Sequence, residues 1–323
     1  MAALESKVNP FETRLKVRDQ MLQQQKILET VGILELLPDG SKGILGIDGK
    51  PYPLPSYQEI SKRMLEKREL LGKKIEQGFT RLLLVPFGMS LDAMTEKYKA
   101  ALLKHFNEDA LLYTKADPSD PDEKIEELND EGPLWVWDKY PGADKNGKLV
   151  YHPEKFDQTA HGGKTKAELL ELSGGWKILL VEEMPNIPRS GKAKKTGGRE
   201  QIDTNGTQIS AYRAARETIP SAHEYLKAMR EESKKKESVY QGEKGMTPEE
   251  HMMYAFTHLE ETNQIIDDYQ GKGSINWNIE AYFPASDGVS FACWSRDNQQ
   301  AYLDGDVPGD RNGNYGLRSA VGV

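Results

Sequence analysis

The sequence predicts an α+β protein that begins with a small helical segment, and three observations lead to this class. Two apolar runs, 79–85 and 175–183, have the length and content of buried strands. Capping residues open two amphipathic helices, which we expect over 90–106 and 247–268. The stretch 286–316 mixes turn-forming residues with spaced aromatic residues, a pattern typical of ordered loops and short strands.

The N-terminal part of the chain is highly charged, and its apolar residues recur at helical spacing. A first helix is expected over 11–37, followed by a Gly-rich hairpin at 43–49 and a second helix that Ser56 caps and that runs to about 77. Prolines at 51, 53 and 55 are expected to exclude regular structure between them. Residues 1–77 therefore form a helical segment for docking or oligomerisation, although a helix pair packed on the main body fits equally well.

The main body is expected to span residues 78–323 and to contain long loop insertions. The interval 113–165 is rich in Asp, Pro, Gly and Lys, with strand-like islands at 134–137 and 148–151. A basic loop is expected over 185–206, followed by helices near 207–217 and 222–236. The final residues, 317–323, read as a strand.

Composition limits the function classes. The 323 residues carry a formal net charge of −8, which argues against nonspecific nucleic-acid binding or attachment to an anionic membrane. The single cysteine, Cys293, excludes an internal disulfide framework and two-cysteine redox chemistry. No signal-peptide pattern or membrane-length apolar run is present, so we expect a soluble protein, cytoplasmic or virion-associated, without membrane insertion.

Motifs for catalysis, cofactors or metals are incomplete. The basic stretch 190–199 lacks phosphate-loop spacing, and His251 and His258 lie seven residues apart, without the pattern of a zinc protease. The oxygen-rich run 304–314 resembles a calcium loop, but Pro308 interrupts it and no Glu closes it. Cys293 has no recognisable partner motif for nucleophilic catalysis. We therefore predict no enzyme activity, no cofactor and no metal.

The C-terminal region has the composition of a binding surface. No lysine, methionine or histidine occurs after Lys272, while Asn, Asp, Gly and Ser make up about half of 286–316. Aromatic side chains give contact area at low entropic cost, and the small polar residues give adaptable hydrogen bonds. On composition alone, a turn-rich region without a partner is equally well supported.

Eight short segments, in order from residue 83 to the C-terminus, resemble one protein family. They are LLVPFG at 83–88, GPLWVW at 132–137, PNIPR at 185–189, GGR at 197–199, GMTPE at 245–249, AYFP at 281–284, QAYL at 300–303 and GLRSAV at 316–321. This set is similar to the variable proteins of diversity-generating retroelements, of the type found in uncultured small-genome bacteria, archaea and their viruses. The resemblance covers residues 79–323 and leaves 1–77 less clearly covered.

The resemblance implies a C-type lectin-like fold whose segment 283–317 is diversified by an error-prone reverse transcriptase to recognise varied proteins or other macromolecules. It implies a stable scaffold that includes Trp294, Gln300, Leu303, Pro308, Gly316 and Arg318. It also implies that the first and last strands, 79–85 and 317–323, pair with each other. The positions expected to vary and to contact ligand are Cys293, Ser295, Asp297, Asn298, Tyr302, Asp304, Asp306, Val307, Asp310, Asn312, Gly313, Asn314 and Leu317.

Two other functions remain open at this point. One is an enzyme on a similar scaffold, related to formylglycine-generating enzymes, which the lone cysteine disfavours. The other is a structural virion component such as a tail-tip adhesin, in which residues 1–77 dock the protein or form a homo-oligomer.

Overall fold

The structure is a computed structural model that describes residues 11–115, 119–187, 195–196, 199–200, 220–271 and 273–323. The helices are α1 (Glu12–Leu15), α2 (Val17–Thr30), α3 (Tyr57–Glu66), α4 (Arg68–Glu76), α5 (Leu91–Asn107), α6 (Lys166–Ser173), α7 (Ala222–Glu232) and α8 (Pro248–Thr262). None of these helices in the described ranges is long and apolar enough to cross a membrane.

Fifteen strands in the described ranges form four sheets, which confirms the α+β class. They are β1 (Glu35–Leu36), β2 (Lys42–Leu45), β3 (Pro51–Pro53), β4 (Arg81–Val85), β5 (Leu134–Val136), β6 (Val150–Tyr151), β7 (Lys177–Val181), β8 (Lys195–Thr196), β9 (Arg199–Glu200), β10 (Glu243–Lys244), β11 (Ile275–Phe283), β12 (Gly288–Ser295), β13 (Gln300–Asp306), β14 (Tyr315–Gly316) and β15 (Ala320–Gly322). Most of the expected loop 185–206 and the whole helix expected near 207–217 lie outside the described residues.

The N-terminal segment is less helical than its sequence predicts. The first helix ends at Thr30 and not near residue 37, because 35–36 pair with β2 in a three-stranded antiparallel sheet. The prediction that prolines exclude structure at 51–53 is also wrong. Pro51 and Pro53 flank Tyr52 in β3, which lies at the edge of this sheet, where a missing N–H donor is tolerated. Ser56 caps α3 in a capping box with Glu59, as predicted.

Helix α2 covers the open edge of β4 with two glutamine side chains. The Gln24 amide donates to Leu82 O and accepts from Leu84 N at 2.7 Å. The Gln20 amide accepts from Leu82 N at 2.8 Å and donates to Thr80 O at 2.9 Å. The side chains thereby supply the hydrogen bonds that a neighbouring strand would make. The boundary at residue 77 stays a prediction, but α2 shares the main hydrophobic core with β4.

The first and last strands of the main body share a sheet but are not neighbours. The order in that four-stranded sheet is β10-β15-β7-β4, and all of its pairs are antiparallel. Val181 of β7 lies opposite Arg81 on one side and Ala320 on the other. The predicted pairing of 79–85 with 317–323 is therefore wrong: the apolar strand β7 lies between them, where both of its edges are hydrogen-bonded.

The largest sheet is built from the C-terminal region. Strands β11, β12 and β13 run antiparallel in sequence, with β14 and β5 added in parallel at the two ends and β6 paired to β11. Helices α5 and α8 pack together beside it, with the rings of Tyr98 and Phe256 5.2 Å apart, edge to face. Both helices were predicted, although α8 ends at Thr262, where Asn263 adopts a left-handed conformation.

Candidate ligand-binding face

Successive side chains of β12 and β13 point alternately to the two sides of the sheet. Ala292, Trp294 and Leu303 point into the main core. Cys293 and Tyr302, which lie opposite each other in the β12–β13 register, belong to a second cluster on the other side of the sheet. We call this second side of the sheet the outer face.

The outer face is rich in aromatic side chains. Trp277 stacks on Tyr315 at 4.1 Å between ring centroids, and Phe291 packs edge-on against both rings. Trp135 of β5 stacks on Tyr302 at 5.4 Å, at the far edge of the sheet. The same cluster contains residues of α7, so this helix covers part of the face. The β11–Tyr315 end of the face is thus packed, while Tyr302 stays partly exposed.

The thirteen candidate positions differ in exposure. Three are buried, six are of intermediate exposure, and four are exposed. The buried ones are Cys293, Ser295 and Leu317; the intermediate ones are Tyr302, Asp304, Asp306, Asp310, Gly313 and Asn314; the exposed ones are Asp297, Asn298, Val307 and Asn312. All six residues expected to form the scaffold, Trp294, Gln300, Leu303, Pro308, Gly316 and Arg318, are buried.

The turn between β12 and β13 is held from outside by Arg296. Its guanidinium pairs with the buried Asp268 at 2.7 Å and with Glu123 at 2.9 Å, and it lies 3.9 Å from the centre of the Tyr113 ring. The Gln270 side-chain oxygen accepts from the backbone N–H groups of Arg296 and Asp297. This anchor could not be predicted from local sequence, because the partners of Arg296 come from distant parts of the chain.

Asp297 and Asn298 occupy the tip of that turn. The backbone carbonyl of Asn298 accepts from the Asn129 amide at 3.0 Å, and its N–H donates to Ser295 Oγ at 3.3 Å. Gln299 adopts a left-handed conformation with φ of 51°, and its amide donates to Arg296 O at 2.7 Å. The turn is therefore shaped by backbone hydrogen bonds and by residues other than the Asp297 side chain.

The segment after β13 is tied to its surroundings in the same way. Arg311 forms a bidentate pair with Glu224 of α7, with distances of 2.7 and 2.8 Å. His223 N donates to Pro308 O at 3.2 Å, and the Tyr315 hydroxyl donates to Asp306 Oδ2 at 2.9 Å. Val307 and Asn312 remain exposed between these contacts.

Carboxylates accumulate at the end of β13. Burial, together with the charges of Asp306 and Asp138, raises the pKa of Asp304 to about 6. Asp297, Asp304, Asp306 and Asp310 form no salt bridge with any described residue. Among the described residues, no three His, Cys, Asp or Glu side chains converge as a metal site.

The inner side of β13 has no room for change. A Cβ added at Gly305 would lie 2.3 Å from the Trp137 ring, which packs against this strand. Asp304 and Asp306, the neighbours of Gly305 in sequence, point to the opposite side of the sheet. Tolerance to substitution is thus expected to alternate along the strand.

Cys293 and His251, two of the residues considered for catalysis, are buried. Burial raises the pKa of the Cys293 thiol well above its ordinary value, so the thiolate is disfavoured. Burial and the nearby Arg318 lower the pKa of His251 to about 3, and His251 Nε2 lies 3.0 Å from Asp267. Asp267 in turn accepts from Arg318 at 2.7 Å. These groups hold the C-terminal strand region in place.

A second ionic cluster joins β11 to β7. His152 Nδ1 lies 2.7 Å from Glu280, which also pairs with Arg230 at 2.7 Å. Lys177 lies 3.1 Å from His152 Nε2 and 3.4 Å from Glu250, and burial lowers its pKa to about 8. Its members come from both large sheets, so the cluster links them.

No protein-family model, curated protein or solved structure matches this chain.

Proposed function

We propose that this chain is a non-catalytic ligand-binding protein. In this proposal the segment 283–317 is diversified by retroelement-guided mutagenesis, and the outer face with its adjoining turns recognises a protein or other macromolecule. The observation that carries the proposal is the way in which exposed side chains are separated from the contacts that hold the backbone. The tips at Asp297, Asn298, Val307 and Asn312 are exposed, whereas Arg296, Arg311 and Pro308 hold the chain beneath them.

This separation is what a diversified surface requires. Substitutions at exposed positions that make no essential contact usually change stability by less than about 0.5 kcal/mol. Buried positions of the same segment, such as Trp294 and Leu303, are core residues and must be spared. A process that rewrites only some positions could therefore change the surface without loss of the fold.

A C-type lectin-like fold is part of the proposal. The order of elements supports it: strand β4, helix α5, helix α8, the antiparallel strands β11–β13 and a last strand, β15, that returns to the sheet of β4. The insertion of β7 between β4 and β15 departs from the expected pairing. The long interval between α5 and α8 accommodates this additional strand.

The alternative enzyme function has no support from Cys293. Cys293 is 7% exposed and the pKa of its thiol is raised, whereas a nucleophilic cysteine needs a stabilised thiolate and access for substrate. A role as a virion adhesin is compatible with ligand binding and would be recognised by the presence of the chain in purified particles.

Two matched libraries test the proposal. The first randomises Asp297, Asn298, Val307 and Asn312; the second randomises four exposed positions elsewhere, Gln23, Lys26, Glu108 and Lys227. Both are displayed and selected against the same panel of purified proteins. We expect folded, target-specific binders from the first library alone. Equal yields from the two libraries, or a first library that is largely unfolded, would refute the proposal.

A further inference from the structure

A wide groove lies between helices α3 and α4 and the loop 236–241. Its volume is about 1090 Å³. Five basic and three acidic side chains line it, so the groove is net positive in a chain whose overall charge is −8. The groove is therefore a local exception to the charge of the molecule.

The positive charge of the groove is not neutralised by ion pairs. Lys62, Arg68, Lys73 and Lys236 are exposed, and none of them forms a salt bridge with a described residue. Lys67 donates to the backbone oxygen of Gly322 at 2.9 Å, which joins the groove to the C-terminal strand. The four free cations are thus available to an anionic partner.

The same chain presents a matching acidic strip at residues 126–131. Glu126, Glu127, Asp130 and Glu131 are exposed and form no salt bridge with any described residue. The strip is held in place by Asn129, whose backbone N–H donates to Gln299 O at 3.1 Å. Binding to it would consequently require little ordering of the chain.

We propose that the groove binds the acidic strip of a second copy of this chain. Charge complementarity between the net-positive groove and the four carboxylates of the strip, which no described residue pairs, selects this occupant. The groove and the strip are different surfaces, so the contact is heterologous and joins copies head to tail. Residues 57–73 of the N-terminal segment would then serve as one half of a self-association interface.

The sign of the salt dependence separates this contact from the effect of overall charge. Copies with a net charge of −8 repel each other, and salt weakens that repulsion. Overall charge alone therefore predicts more association at high salt. A groove–strip contact predicts the reverse, since its attraction is screened when the Debye length falls from about 30 Å at 0.01 M to about 3 Å at 1 M.

The test is sedimentation velocity of the full chain over a range of concentrations at these two ionic strengths. We expect association that grows with concentration at low salt and is lost at high salt. A groove variant (Lys62→Gln, Arg68→Gln, Lys73→Gln) and a strip variant (Glu126→Gln, Glu127→Gln, Glu131→Gln) should each be monomeric. Their mixture should form a one-to-one dimer that grows no further, because only one intact junction remains.

A control variant with Lys26→Gln, Lys148→Gln and Lys227→Gln removes three positive charges, as the groove variant does, but at exposed positions outside the groove. Because it has the same net charge as the groove variant but an intact groove, it should still associate at low salt, and more strongly than the groove variant does. Circular dichroism of all variants establishes that they are folded. A monomer under every condition, association that increases with salt, or equal loss of association in the control variant would each overturn the proposal.

Discussion

Replacing Gln24 by leucine tests whether α2 secures the edge of β4. Gln24 is 1% exposed, and its amide bonds both Leu82 O and Leu84 N. Leucine has a similar volume but can neither donate nor accept, so both backbone groups lose their partner in a site that water does not reach. A buried polar group left unpaired costs about 1–3 kcal/mol, and two such groups predict a loss of about 2–6 kcal/mol.

Equilibrium unfolding in urea measures this loss. Gln23→Leu is the matched control, since Gln23 is an exposed neighbour on the same helix and makes no comparable contact. Hydrogen exchange at the Leu84 amide should accelerate in the Gln24 variant and not in the control. If the free energy of unfolding of Gln24→Leu is within about 0.5 kcal/mol of that of Gln23→Leu, the edge of β4 does not depend on the Gln24 side chain.

Three further predictions concern the candidate face. Arg296→Ala should destabilise the fold by roughly 2 kcal/mol or more, because it leaves the buried Asp268 without its cation. Asp297→Ala, by contrast, should change the free energy of unfolding by less than about 0.5 kcal/mol. Urea unfolding measures both variants, and equal effects would contradict the anchoring role of Arg296. The pKa of Asp304 is raised to about 6 from an ordinary 3.8, so the folded state binds the proton more tightly than the unfolded state and loses stability as pH rises between these values. Asp304→Asn should flatten that part of the curve of unfolding free energy against pH. An unchanged slope would contradict this role of Asp304. Cys293 should react slowly with a thiol reagent in the folded protein and rapidly in urea, and equally fast reaction in both would show that the thiol is not buried.

Local signals predicted the helices better than the sheets. The capping residues Ser56, Ser90 and Thr247 each begin a helix in the structure, because a cap acts within four residues of sequence. Thr165 and Glu168 form the same capping box and open α6, a helix that was not predicted and that directly follows the loop-rich interval 113–165. Sheet order could not be predicted, since the position of β7 between β4 and β15 depends on contacts between distant segments.

The burial of both faces of β11 could not be predicted from its own residues. Asn276, Asn278 and Glu280 alternate with apolar residues, as in a strand with one solvated face, yet all nine residues are buried. Asn278 donates to Ser290 Oγ at 3.1 Å, and Glu280 pairs with Arg230. These partners lie elsewhere in the chain, and so do Asp268 and Glu123, which each pair with Arg296. The sequence therefore predicted the exposed positions of the candidate site, but not the contacts that hold the backbone beneath them.

The central claim is that residues 283–317 vary while the rest of the chain is constant. Sequencing the coding locus in several isolates, together with its neighbouring DNA, tests it most directly. We expect substitutions concentrated in 283–317, above all at exposed tips such as Asp297 and Asn312. We also expect a neighbouring reverse-transcriptase gene and a near-copy of the segment that differs at adenines. Substitutions spread evenly over residues 1–323 would contradict it.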